Sequence, residues 1–139
     1  MTIIRAAKPE DAGCVLELAR NLATSFVVEE NSFARSFISL LSTPDACLRV
    51  AELDGVVVGY VLGFTHETFF ANGPVAWVEE IMVREGCRRH GVGRQLMAVF
   101  EEWAGCRDAK LIALATRRAA AFYQSLGYAE SAAYLQKRL

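Results

Sequence analysis

The chain alternates between two kinds of hydrophobic pattern. Thr2–Ala7 is a short strand candidate. Pro9 then suits the first turn of a helix, with Glu10 and Asp11 at its positive end and Val15, Leu18 and Leu22 at helical spacing behind them. Residues 21–31 form a polar-to-mixed connection. Phe33, Phe37, Leu40 and Leu41 then make the apolar stripe of a second helix, which Ser42-Thr43-Pro44 stops. Two strands, Ala46–Leu53 and Val56–Thr65, flank Asp54-Gly55, a hairpin signal because both residues accept positive φ. In the first, Leu48 and Val50 alternate with Arg49; in the second, Val56, Val58, Tyr60 and Leu62 are expected to share a face. A loop, His66–Pro74, leads to a strand over Val75–Arg84. After the turn Glu85–His90 a helix starts at Gly91 or Val92, carries Leu96, Phe100 and Trp103, and ends near Gly105. Lys110–Ala115 is apolar from Leu111 onwards, the pattern of a strand buried on both faces. Arg118–Leu126 reads as a helix capped by Gly127. Tyr128–Leu139 has room for one or two closing strands.

The predicted order is β-α-α-β-β-β-α-β-α-β(-β). The strand–helix–strand unit over Val75–Ala115 demands a parallel pair, while the preceding hairpin is antiparallel. A mixed α/β sheet with helices on both faces follows. The 139 residues suit one domain with a proper core, and 53% hydrophobic against 22% charged residues make it globular. A net charge of −1 gives no reason to expect nucleic acid as a partner. No apolar run approaches the roughly 20 residues of a membrane span, and the N-terminus lacks the apolar core of a secretory signal. Cys14, Cys47, Cys87 and Cys106 form no C-x-x-C pair and no standard zinc spacing with the two histidines. No metal is expected, and reduced thiols in a cytoplasmic protein are. Cys87 beside Arg88 and Arg89 has the setting of a lowered thiol pKa, but no His–acid partnership in the sequence gives it a catalytic role.

The chemistry concentrates in Val78–Met97, VEEIMVREGCRRHGVGRQLM. An apolar strand, a basic glycine turn and a helix start make an anion site, because the first amides of a helix lack internal partners and sit at the positive end of its dipole. Gly91 and Gly93 keep Cβ atoms away from a phosphate, and Arg88, Arg89, His90 and Arg94 add charge and donors; residues 88–94 are therefore expected to cradle a diphosphate. Gly91-Val92-Gly93 begins like the dinucleotide fingerprint, but Leu96 replaces its third glycine and no acidic residue ends a strand some 20 residues on. The Gly-Lys-Ser/Thr ending of a nucleotide P-loop is absent. Arg88-x-x-Gly91-x-Gly93 after an apolar strand resembles motif A of the GNAT superfamily, the acetyl-CoA-dependent N-acetyltransferases. Ala119, Phe122, Tyr123, Gly127 and Tyr128, within TRRAAAFYQSLGY, are similar to that family's motif B, with Thr116 where many members carry Asn. The element order also resembles the GNAT fold along nearly the whole chain.

The resemblance implies acetyl-CoA as cosubstrate, in a wedge where the strand before motif A splays from the strand before motif B. It implies that the backbone of Ile81, Met82 and Val83 holds the pantetheine arm, residues 88–94, Val92 included, the pyrophosphate, and Thr116 a polar contact that an amide would make differently. The acceptor is then a primary amine of a small molecule or peptide, and a homodimer is common among members; Ala133–Arg138 reads as an edge strand able to pair. An alkyl ammonium, with a pKa of about 10.4, needs a base at neutral pH. Glu79 and Glu80 stand in an apolar strand, one expected on each face, and period-two alternation does not say which enters the cleft if the strand carries a bulge. Tyr123 is the candidate acid for the departing thiolate, against its bland reading as a core tyrosine. Glu29, Glu30, His66, Phe69 and Phe70 are weaker candidates for an acceptor pocket that attracts and stacks on a cation. The alternative to catalysis is a non-catalytic acyl-CoA-binding sensor or regulatory module.

Overall fold

The computed structural model describes residues 1–139. Five strands and four α-helices run in the order β1 (Thr2–Ala6), α1 (Ala12–Leu22), α2 (Glu30–Leu41), β2 (Ala46–Leu53), β3 (Val56–Thr68), β4 (Gly73–Val83), α3 (Val92–Cys106), β5 (Ile112–Leu114) and α4 (Ala120–Ser125), with 3-10 turns at Pro9–Asp11 and Glu85–Cys87. The sheet follows chain order, β1-β2-β3-β4-β5, antiparallel up to β4 and parallel between β4 and β5. The mixed α/β sheet is therefore formed as the alternation demands.

Helices cover both faces. Val15, Leu18 and Phe37 of α1 and α2 pack on Leu48, Val50, Tyr60 and Leu62. Leu96, Met97, Phe100 and Ala104 of α3, with Tyr123 of α4, pack on Cys47, Val61, Ala76 and Val78. A Cβ at Gly63 would lie 2.2 Å from the Phe100 ring, so glycine there lets the ring lie against the sheet. The hairpin turns at Asp54 and Gly55, whose φ angles are 51° and 81°. At the other end of the sheet Arg5 grips Asp11 with both guanidinium nitrogens (2.8 and 2.9 Å) and also bonds Glu52, fixing the start of α1 to β1. This arginine bond holds the Asp11 carboxyl below the usual carboxylate range.

Four expectations need correction. A bulge in β3 moves Val58 to the α3 face beside Val61 and leaves Val57 with Tyr60 and Leu62, so Val58 does not share the Tyr60 face. His66 belongs to β3 and pairs with Val75 instead of lying in a loop, because the hairpin ladder continues to Thr68 and Gly73. The strand expected at Lys110–Ala115 is three residues long and half-buried. It is an edge strand paired with β4 alone, and its Ile112 and Leu114 pack, partly buried, against the α3 core. No closing strand forms: residues 129–139 carry neither helix nor strand and are exposed. The short β5 offers little edge to pair with, the segment is rich in residues that strands disfavour, and its Arg138 lies over the Phe26 ring at 4.1 Å and bonds the Ser25 carbonyl.

Candidate active site

The site follows from an irregularity in β4. Its pairing with β3 shifts between Leu62↔Glu80 and Gly63↔Val78, which leaves Glu79 as an extra residue. A bulge resets the alternation of side chains. Val78 and Ile81 consequently both face the α3 core, and Met82 packs on the opposite, α1–α2 face. Glu80 shares that face: its Oε1 accepts a 2.7 Å hydrogen bond from the buried Tyr60 hydroxyl. Period-two alternation alone does not say which glutamate turns inward; the bulge turns Glu80 to the Tyr60 face. Glu79 is exposed and Glu80 half-buried. Burial and the neighbouring Glu80 carboxylate push the Tyr60 phenol far above its ordinary range, so it remains a donor.

Glu80 forms part of the wall of a cavity of about 490 Å³ between the sheet and α1–α2. Tyr60 and Leu62 line the sheet side; Phe33 and Phe37 of α2, and Phe26 and Val28 of the α1–α2 connection, line the other. Glu29 reaches the rim but is also the cap of α2, where its carboxylate accepts from the Ser32 amide (2.9 Å) and hydroxyl, bonds that hold its pKa below the ordinary value. Glu30 is exposed on the first turn of α2 and is not a lining residue. None of His66, Phe69 and Phe70 lines the cavity: at about 3.3 Å per residue His66 is about 13 Å along β3 from the Leu62–Glu80 pair, and Phe69 and Phe70 lie at the hairpin tip, more than about 20 Å along it. The ladder that extends β3 carries them away.

On the other edge of β4 the sheet opens. Pairing with β5 covers Ala76, Trp77 and Val78 and then stops. The Arg84 amide donates to Val58 O (2.7 Å), so by alternation Met82 turns its backbone groups to β3, while Ile81 and Val83 turn theirs into the gap. The Arg88 guanidinium folds back and donates to the Val83 carbonyl at 3.1 Å.

Beyond the gap, the amides of residues 89–94 find no acceptor within the protein; the first helical bond is from Gln95 N to Gly91 O. Arg89 and Gly91 have φ of 74° and 77°, and alternation of left-handed with other conformations turns successive N–H groups to one side. Gly91 is the N-cap of α3, and Val92 is buried beneath it. Gly93 is helical, so its glycine is explained by space instead of positive φ: a Cβ would stand 3.3 Å from the Phe122 ring of α4. Arg89, His90 and Arg94 are exposed around the turn. These residues fit a diphosphate by donors, field and room.

The opposite wall of the gap comes from the segment after β5. Thr116 Oγ1 accepts from the Ala119 amide at 3.0 Å and so sets the turn into α4. Tyr123 is buried, with its ring against Phe122 and Tyr128 at 5.0 and 5.9 Å. Burial raises its pKa. Its hydroxyl donates to no protein group, yet no fully buried side-chain oxygen lacks a partner, so that hydroxyl meets open space. Tyr60 and the lining of the α1–α2 connection were not foreseen. Tyr60 read as one of a row of strand residues, and only the β3–β4 register sets it against Glu80.

Residues 15–128 match the model of the GNAT acetyltransferase family. An N-acetyltransferase of Methanocaldococcus jannaschii is 33% identical over 87 residues, which cover 59% of this chain and 52% of that protein; the match thus spans about half the length of this curated relative. An acetyltransferase from Agrobacterium tumefaciens str. C58 superposes with a TM-score of 0.87 at 26% identity, covering 99% of each chain. The aminoglycoside N-acetyltransferase AAC(6')-Iy, solved in complex with CoA, gives a TM-score of 0.88 at 20% identity over 100% of this chain and 95% of the other, a likeness of fold.

Proposed function

Since the chain belongs to the GNAT acetyltransferase family, we propose that it moves an acetyl group from acetyl-CoA to a primary amine of a small molecule or peptide, by direct attack of the amine within a ternary complex. The observation that carries this reading is the bulge at Glu79. It sets Glu80 in a cavity on one face of β4, next to the stretch whose opposite edge, at Ile81 and Val83, is unpaired and runs on to six free amides. The solved relative in complex with CoA supports the choice of cofactor.

Acetyl-CoA supplies an activated acyl group, and the chain's residues bind and manage protons around it. Free amides 89–94 hold the pyrophosphate, with Arg89, His90 and Arg94 as flanking charge. Ile81 and Val83 offer backbone groups to the pantetheine arm, and Arg88 yields the Val83 carbonyl when that arm is in place. Glu80 takes the proton of the bound ammonium, directly or through one water, and Tyr60 fixes the carboxylate's orientation. Backbone donors aimed where negative charge develops lower the barrier to acyl transfer. Tyr123 keeps its proton at neutral pH and returns it to the departing thiolate. Glu79 is the alternative base and otherwise draws cations towards the cleft.

The reading extends to a homodimer, supported by the exposed apolar side chains of Leu111, Tyr134, Leu135 and Leu139, and to a cytoplasmic location, supported by four free cysteines. No helix is long and apolar enough to cross a membrane. The test is calorimetric titration with acetyl-CoA followed by an amine screen that reads CoA release. Acetyl-CoA binding without release in any amine would leave the non-catalytic module in its place. Absence of binding would remove both. Light scattering at micromolar concentration checks the dimer.

A further inference from the structure

The walls of the α1–α2 cavity select among amines. Of its seventeen lining residues thirteen are hydrophobic, and the other four are Glu29, Ser32, Ser36 and Glu80. No lysine or arginine enters the lining. Glu29 is held at the rim by the α2 cap, in bonds that favour its charged form. Glu80 is the half-buried carboxylate of the inner wall and keeps one oxygen free: Tyr60 donates to Oε1, while no protein group donates to Oε2. Charges of both signs surround the cavity: Glu29 lies at its rim and Glu30 follows it on α2. Arg20 bonds the Val28 carbonyl (3.4 Å), Arg35 bonds the Ser32 hydroxyl (3.2 Å), and Arg138 stacks on Phe26.

We propose that the acceptor is a monoamine with an aromatic or branched aliphatic body: its ammonium meets Glu80 Oε2 and its apolar portion fills the space bounded by Phe26, Phe33, Phe37 and Leu62. This rests on the N-acetyltransferase reading and narrows its substrate. A cavity of about 490 Å³ is within the range of about 300–1,000 Å³ typical of small-molecule sites. Burying a second, unpaired ammonium against apolar walls is unfavourable. Polyamines and aminoglycosides, with several ammonium groups each, are thereby disfavoured.

The experiment compares phenethylamine and 3-methylbutylamine with spermidine and neamine. Two readouts are taken on the full chain: kcat/KM at saturating acetyl-CoA, and amine binding by calorimetry in the presence of CoA. Phenethylamine or 3-methylbutylamine is expected to exceed both polycations by about ten-fold or more, the discrimination an apolar pocket gives, and to bind more tightly. Val28→Glu, a rim substitution on the apolar lining, adds a third carboxylate and is expected to narrow or reverse that preference. Spermidine or neamine equal to or better than the monoamines overturns the proposal, as does a failure of both monoamines to bind. A protein that binds the monoamines with CoA but releases none from acetyl-CoA keeps the pocket assignment and removes the enzymatic reading. A protein that consumes acetyl-CoA only with polycations does the reverse.

Discussion

Between Ala76 and Val78, β4 is paired on both sides, to β3 and to β5, and two of the three residues are buried. From Glu79 to Val83 the same strand has a bulge, a partner on one side only, and no residue fully buried. The first half resembles the interior of any sheet: apolar residues fill it because both neighbours and α3 cover it. The second half leaves backbone groups of Ile81 and Val83 without a strand partner and admits two carboxylates. Such exposure stabilises nothing by itself. A local departure from sheet geometry next to a cavity is how a strand re-aims a side chain for a ligand. The two halves should therefore respond to substitution in opposite currencies, activity in the open half and stability in the closed one.

Glu80→Gln keeps the shape and removes the base, so kcat/KM should fall by about 10²–10⁴-fold with little change in melting temperature. Glu79→Gln, one residue away, should cost less than about ten-fold if Glu80 is the base. Equal losses would dissolve the distinction that the bulge draws between them. Steady-state kinetics and thermal melts on the two variants decide it.

Tyr123→Phe probes the wall across the gap. Turnover should fall by about 10²-fold or more, as on removal of an acid catalyst, and the loss should shrink when the acyl donor has a more acidic leaving thiol. Burial raises the Tyr123 pKa, so the proton it donates is held throughout the neutral range. Activity should then not decline from this group until the pH passes the ordinary phenol value of about 10. A kcat profile on wild type falling near neutrality, and lost in Tyr123→Phe, would contradict that sign.

Gly63→Ala tests the closed half. The added Cβ would lie 2.2 Å from Phe100 and 2.7 Å from the Trp77 carbonyl oxygen, and overpacking of this kind costs typically about 1–3 kcal/mol. Denaturant titration should show that loss while kcat per folded molecule is retained. A kinetic defect with unchanged stability would mean the closed half also shapes the site.

Gly91→Ala should have the smallest effect. Nothing lies within 4 Å of its Cβ position, but φ is 77°, and a left-handed conformation costs a non-glycine residue roughly 1–2 kcal/mol. Acetyl-CoA affinity, measured by calorimetry, should weaken up to about ten-fold, since about 1.4 kcal/mol is a factor of ten. Gly93→Val should also weaken binding, through its clash with Phe122. Unchanged affinity in both would move the diphosphate away from residues 88–94.

The periodicities that the sequence carries were enough for most elements, because local packing obeys them. Helical spacing of Val15, Leu18, Phe33, Phe37, Leu96 and Phe100 located α1, α2 and α3, and Asp54-Gly55 announced its hairpin from backbone conformation alone. The basic glycine turn before α3 was legible for the same reason: unpaired amides at a helix start are a property of the local chain. What depended on pairing was not legible. A bulge is a mismatch between two strands, so neither the Val58 shift nor the turning of Glu80 towards Tyr60 can be read from β3 or β4 alone. The length of the β3–β4 ladder, which carries His66 and Phe69–Phe70 away from the cavity, is likewise set by two segments at once. The apolar run at Lys110–Ala115 fitted a central strand as well as an edge one, and only its single neighbour decided between them. Residues supplied the chemistry; the register between strands chose which of them face one another.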